Sequence, residues 1–208
     1  MDKRVIPAAP DIPGLEPLKQ DMYDTKAYPA AGVAVLEFFR NPNPGGELFT
    51  NMAASGQLPY PQQYHAMGLA VEILPNVVCG AAAGGAAIWA TEKKKIRENA
   101  WLKLHIGSKD YLTIPLKRVP EGVGPHGFGA SALATGIVAL TNGVQDLSHH
   151  YDLTVRMGGK IQPIHIPSQQ SFFVQIYWPQ LVVHSFSGDG EYVIVRVYLA
   201  GVLWREVQ

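Results

Sequence analysis

The sequence predicts an all-β domain built as a sandwich of antiparallel strands. Three observations predict it. Long stretches alternate apolar and polar residues with a period of two, Pro/Gly-rich turns separate those stretches, and helix-period segments are scarce. At 208 residues the chain can bury one substantial β-core and is marginal for two.

Proline opens the chain at a density that breaks helices and removes ladder donors: Pro7, Pro10, Pro13, Pro17 and Pro29. Residues 1–30 are therefore expected to be an extended arm, either a disordered tail or a segment ordered against a neighbouring subunit. From Gly32 onward strands are expected. Val33 to Arg40 reads as a buried strand, ended by Asn41-Pro42-Asn43-Pro44-Gly45-Gly46. In Tyr64 to Ile73, one face holds His65, Met67, Leu69, Val71 and Ile73, and the other Tyr64, Ala66, Gly68, Ala70 and Glu72. The best helix candidate is Ile88 to Ala100, where Glu, Lys and Arg concentrate.

Trp101–Ile106 and Tyr111–Leu116 flank the turn Gly107-Ser108-Lys109-Asp110 and read as a hairpin. Residues 120–150 form a long Gly/Ala/Ser/Thr-rich insertion, expected to be a loop that makes contacts outside the core. Phe172, Val174, Ile176 and Trp178 share one face of a later strand. Val193, Val195, Val197 and Leu199 share one face of the last. Shorter strands are expected at Leu48–Met52, Tyr151–Val155 and Ile161–Ile166. The total is about eight or nine strands, the pattern of a sandwich or jelly roll.

Charge and chemistry narrow the function. Charged residues make up 16% against 47% hydrophobic, below the roughly one quarter usual in soluble domains. Such a surface fits cover by partners, although a compact, weakly charged β-domain has the same composition. Lys+Arg and Asp+Glu balance at 17 each, so no net field selects nucleic acid or an anionic membrane. The run Lys93-Lys94-Lys95 with Arg97, flanked by Glu92 and Glu98, reads as a solvated helix face. The single Cys79 excludes an intrachain disulfide framework. The N-terminus has no signal-peptide core, and no stretch is apolar for about 18 residues. A reducing compartment is expected.

Histidines 65, 105, 126, 165 and 184 are isolated in sequence, and His149-His150 would point to opposite faces of a strand. None has the His-x-His spacing of a cupin metal centre. Gly-x-Ser-x-Gly is absent, and no Lys-Ser or Lys-Thr follows Gly80-Ala81-Ala82-Ala83-Gly84-Gly85. No catalytic residue, metal ligand, cofactor or small-molecule substrate is expected. Aromatics are the remaining resource. Phe173, Tyr177, Tyr192 and Tyr198 are expected to form a half-exposed stripe that a neighbouring subunit or the arm would cover. With Trp204, Phe128 and the arm residues Pro7, Pro10, Pro13 and Pro17, they are the candidate intersubunit contacts.

A resemblance rests on three stretches. They are Phe49-Thr50-Asn51-Met52-Ala53-Ala54-Ser55-Gly56-Gln57-Leu58-Pro59, then Gly107 to Leu112 with Ile114-Pro115-Leu116, then Ile164-His165-Ile166-Pro167-Ser168-Gln169-Gln170-Ser171-Phe172 followed by Leu199 to Glu206. In this order they resemble jelly-roll capsid proteins of tailless icosahedral bacterial viruses, over roughly residues 32–207. The resemblance implies a non-enzymatic shell protein, found in the virion and assembled in the host cytoplasm. It implies a single jelly roll with an N-terminal arm and a long insertion, since the chain is too short for two. Its partners would be copies of itself in a homo-oligomeric capsomer, a trimer being one arrangement, and other capsid proteins. Contact with an internal membrane or the genome stays open. The alternatives are a carbohydrate- or receptor-binding β-sandwich of a virion and, third, a cupin-like metalloenzyme.

Overall fold

The computed structural model describes residues 14–41, 49–75, 85–125, 129–132, 138–141, 145–157, 160–184 and 192–206. In chain order the elements are β1 (Leu15–Lys19), β2 (Met22–Pro29), β3 (Val35–Phe38), β4 (Gln63–Pro75), α1 (Gly85–Glu98), β5 (Trp101–Ile106) and β6 (Lys109–Pro115). A 3-10 turn at Leu116–Arg118 leads to β7 (Gly122–Pro125), β8 (Gly129–Ala132), β9 (Val138–Thr141) and β10 (Gln145–His149). Then come β11 (Tyr151–Asp152), β12 (Val155–Met157), β13 (Lys160–Gln162), β14 (Ile164–Ile166), β15 (Phe172–Tyr177) and β16 (Tyr192–Glu206). The fold is an all-β sandwich of antiparallel sheets.

The larger sheet is organised around β16. One side of β16 pairs with β2 over Tyr192–Leu199 and with β1 over Val202–Glu206. Its other side pairs with β4, whose far edge takes β14 and β11. The second sheet runs β3-β15-β5-β6. Both sheets turn apolar rows inward: Leu69, Val71, Ile73, Val193, Val195, Val197 and Leu199 from the first, Leu102, Leu104, Ile106, Phe172, Val174 and Ile176 from the second. They form one continuous core. The alternation expected in β5, β15 and β16 is the observed one.

The start of the chain differs from the expected arm. Residues 15–19 and 22–29 are extended, but they are strands of their own chain's sheet. Pro17 is tolerated because β1 is an edge strand, and Pro29 because it ends β2. The run from Leu18 to Tyr28 is free of proline and can donate normally. Pro7, Pro10 and Pro13 lie outside the described residues.

β4 departs from the simple alternation. Ala200 faces Gly68 and Gly201 faces Ala66, so Met67 is an extra residue, a β-bulge. The bulge exchanges the two faces. Tyr64 and Ala66 are buried below it, Leu69, Val71 and Ile73 above it, and His65 and Met67 turn away from the core. Gly201 makes this close approach possible. A Cβ there would collide with the His65 carbonyl oxygen and lie 2.9 Å from the Tyr64 ring.

Other expected elements are redrawn by local hydrogen bonds. Leu48–Met52 does not form a strand in its described part; Thr50 makes one isolated bridge to Asp24. Side chains replace the ladder: Thr50 Oγ1 donates to the Tyr23 carbonyl, Asn51 Oδ1 accepts from the Tyr23 N–H, and Asn51 Nδ2 donates to the Asp21 carbonyl. β3 stops at Phe38 because Phe39 adopts a φ of +68°. The buried Asp24 carboxylate accepts the Phe39 N–H at 2.8 Å and holds this strained residue in place. Tyr151–Val155 splits where Asp152 accepts from Thr154, and Ile161–Ile166 splits at Pro163. Within 120–150 the chain forms two small antiparallel pairs, β7 with β10 and β8 with β9, in place of an uninterrupted loop.

Helix α1 was expected to present a solvated basic face. Lys94 and Lys95 do, but Lys93 is buried and Arg97 nearly so. Both pair with Glu121, at 2.5 and 3.1 Å, and Arg97 donates to the carbonyls of Val71 and Val119. Burial lowers the pKa of both cations, and Glu121 opposes that shift. With the Trp178 indole donating to the Ile96 carbonyl at 2.9 Å, these bonds fasten α1 to the sandwich.

Two outcomes follow from the bulge region. Gly201→Ala should lower stability by about 1–3 kcal/mol in urea titration, because backbone on the far side cannot yield. The Tyr64 hydroxyl donates to the Leu199 carbonyl (2.5 Å), with that of Gln20 3.0 Å away. Burial, aided by Asp21, raises its pKa well above the usual 10.0. A phenol raised in the folded state contributes stability that is complete below about pH 10 and lost above it. Tyr64→Phe should cost about 1 kcal/mol at neutral pH and give a shallower loss of stability above about pH 10 than the parent.

Candidate functional site

The period of two that buries one face of β3-β15-β5-β6 sends the other face outward. Its cross-strand rows follow from the register. Val35, Tyr177, Trp101 and Pro115 form one row. Glu37, Gln175, Lys103 and Thr113 form the next, and Phe173, His105 and Asp110 the third. A second bulge, between Leu104 and His105, sets Tyr111 outward beside them. Val35 is 41% exposed and Trp101 38%, so the first row is an apolar strip open to solvent.

Charge borders this strip on one side and braces the third row. The His105 ring stacks on Phe173 with centroids 4.4 Å apart and planes 17° apart. The Arg40 guanidinium lies 5.1 Å from the same phenyl centroid and also pairs with Glu37 at 3.0 Å. His105 Nδ1 is 2.6 Å from Asp110. The carboxylate can only accept, so Nδ1 carries the proton. Lys103 reaches Asp110 at 3.6 Å and the Tyr177 ring at 5.6 Å. The open apolar row thus lies at one end of this face, bordered on one side by a row that carries both signs, Glu37 and Lys103. Among the described residues no group of three His, Cys, Asp or Glu side chains converges.

Phe173 and Tyr177 both lie on this face. Tyr198, expected to share their stripe, does not. β15 and β16 belong to different sheets, and Tyr198 sits on the outer face of the other one. There Arg196 donates to Thr25 (2.9 Å) and Tyr198 (3.3 Å), while Tyr198 donates to Glu72 at 3.0 Å. Burial raises the Tyr198 pKa. Tyr192 opens the same strand β16, with its side chain outside the description. Trp204 pairs in register with Pro17 of β1 and Gln63 of β4, and its ring lies 6.0 Å from His65. Phe128 is outside the described residues. Val35 and Trp101 were not singled out from sequence. Their signal was the alternation of Trp101 with Leu102, which placed Trp101 opposite the core.

Comparisons of the chain with protein-family profiles, with curated proteins and with solved structures return no match.

β15 offers a direct check of the two faces. Ile176→Ala should cost about 2–5 kcal/mol, whereas its neighbour Gln175→Ala should stay within about 0.5 kcal/mol, both measured by urea denaturation.

Proposed function

We propose that this chain is a viral capsid subunit, a single jelly roll that assembles with copies of itself into an icosahedral shell. One observation carries the reading: the order of the eight principal strands. Taking β2, β3, β4, β5, β6, β14, β15 and β16 as first to eighth, one sheet runs first-eighth-third-sixth and the other second-seventh-fourth-fifth. A chain that alternates between sheets in this way supports two interlocked Greek keys, the jelly-roll arrangement of many shell proteins. The apolar row Val35-Tyr177-Trp101, the low charge content and the resemblance in chain order support self-association. Other capsid proteins are further partners in this reading, and no catalytic step is assigned.

The row containing Trp101, with the exposed Tyr111 nearby, favours one other reading, a glycan- or receptor-binding module of a virion. Light scattering coupled to size exclusion, followed by negative-stain microscopy, separates the two. The capsid reading expects capsomers or particles that form with rising concentration. Val35→Glu, exposed and on an edge strand, should leave the fold intact and raise the assembly threshold at least about tenfold. A well-folded protein that stays monomeric at high concentration while binding a glycan array would overturn the capsid reading.

A further inference from the structure

We propose that His65 and His165 together form a chelating site for a divalent d-block cation, of the copper(II), nickel(II) or zinc(II) class. The two residues are 100 positions apart in sequence, yet β4 and β14 place them directly opposite one another in an antiparallel pair. Their ring centroids are 5.1 Å apart in an edge-to-face arrangement. A metal bound to an imidazole nitrogen at about 2.0–2.1 Å lies about 3.2 Å from the ring centroid. Two such rings at N–metal–N angles of about 90–109° have centroids about 4.5–5.2 Å apart. The observed separation falls in that window without movement of either strand.

The surroundings favour ligation over a structural role. His165 is exposed and His65 half-buried, both on the outer face of the sheet. Among the described residues neither imidazole makes a hydrogen bond; the two rings lie against each other, and His65 also lies near the Trp204 indole. Loss of hydration lowers both pKa values, and the neighbouring His165 lowers that of His65 further. Imidazole is a borderline donor that suits copper, nickel and zinc, with water completing the coordination. This site does not depend on the capsid reading.

The test uses the full chain without a polyhistidine tag and the chlorides of copper(II), nickel(II) and zinc(II) as probes. Isothermal titration gives stoichiometry, and quenching of tryptophan emission by copper, with the Trp204 ring 6.0 Å from His65, gives a second readout. One metal per chain is expected. His65→Asn and His165→Asn should each weaken binding at least about tenfold, and a combined His149→Asn/His150→Asn variant should leave it unchanged. Circular dichroism confirms the folding of each variant, and the exposed His165 position decides the matter if the His65 variant unfolds. Absence of binding by the parent, retention of it in folded His165→Asn, or its loss in the 149/150 variant would overturn the assignment.

Discussion

The inner rows of the two sheets bury one another, and this mutual cover is the constraint from which the other features follow. Val193, Val195, Val197 and Leu199 cannot leave water unless Leu102, Leu104, Ile106, Phe172, Val174 and Ile176 meet them from the facing sheet. Each fully buried side chain of this size is worth about 1.5–3 kcal/mol, against about 0–1 kcal/mol for an exposed ion pair such as Arg40–Glu37 or Lys94–Glu98. The core therefore sets strand order and register. The outward residues are left to be chosen for other purposes.

Register is where packing becomes site geometry. The bulge at Met67 and the bare backbone of Gly201 let β4 exchange faces halfway along, so that Tyr64 enters the core while His65 leaves it. Without that exchange His65 would sit on the core side with Leu69 and could not meet His165. At the other end of the sandwich a buried carboxylate plays a comparable part. Asp24, on β2 of one sheet, holds the left-handed Phe39 just after β3 of the other, and so fixes where the chain crosses between them.

What the sequence revealed was local, and what it hid was pairing between distant segments. The rows of β5, β15 and β16 were legible because a strand carries its own period of two. The faces of β4 were legible only above Met67, since a bulge depends on the partner strand and leaves no mark in the alternation. Proline counting misplaced residues 15–29, because a proline on an edge strand removes a donor that no neighbour needed. Phe173, Tyr177 and Tyr198 looked like one stripe because they alternate alike, and only sheet membership separates them. His65 and His165 looked isolated for the same reason: nothing local joins positions 100 residues apart.

The edges of the two sheets bear on how copies could meet under the proposed reading. β1 carries Pro17, and the β14–β11 edge is short and bounded by Pro163 and Pro167. β3 has four residues and is followed by the left-handed Phe39, while β6 begins with Lys109-Asp110. Each is a device that discourages strand addition. On the outer face of the larger sheet, Arg196, Thr25, Tyr198 and Glu72 already bond one another. The outer face of β3-β15-β5-β6 differs, because its middle row of Glu37, Gln175 and Lys103 is polar but its end row of Val35, Tyr177 and Trp101 is apolar and open. Association by edges would have to overcome these devices, and the edge strand β2 already has Tyr23 bonded on its outer side by Thr50 and Asn51. Association through that end row needs only the removal of water from side chains already held rigid by the core, so self-assembly of this sandwich should proceed through a face.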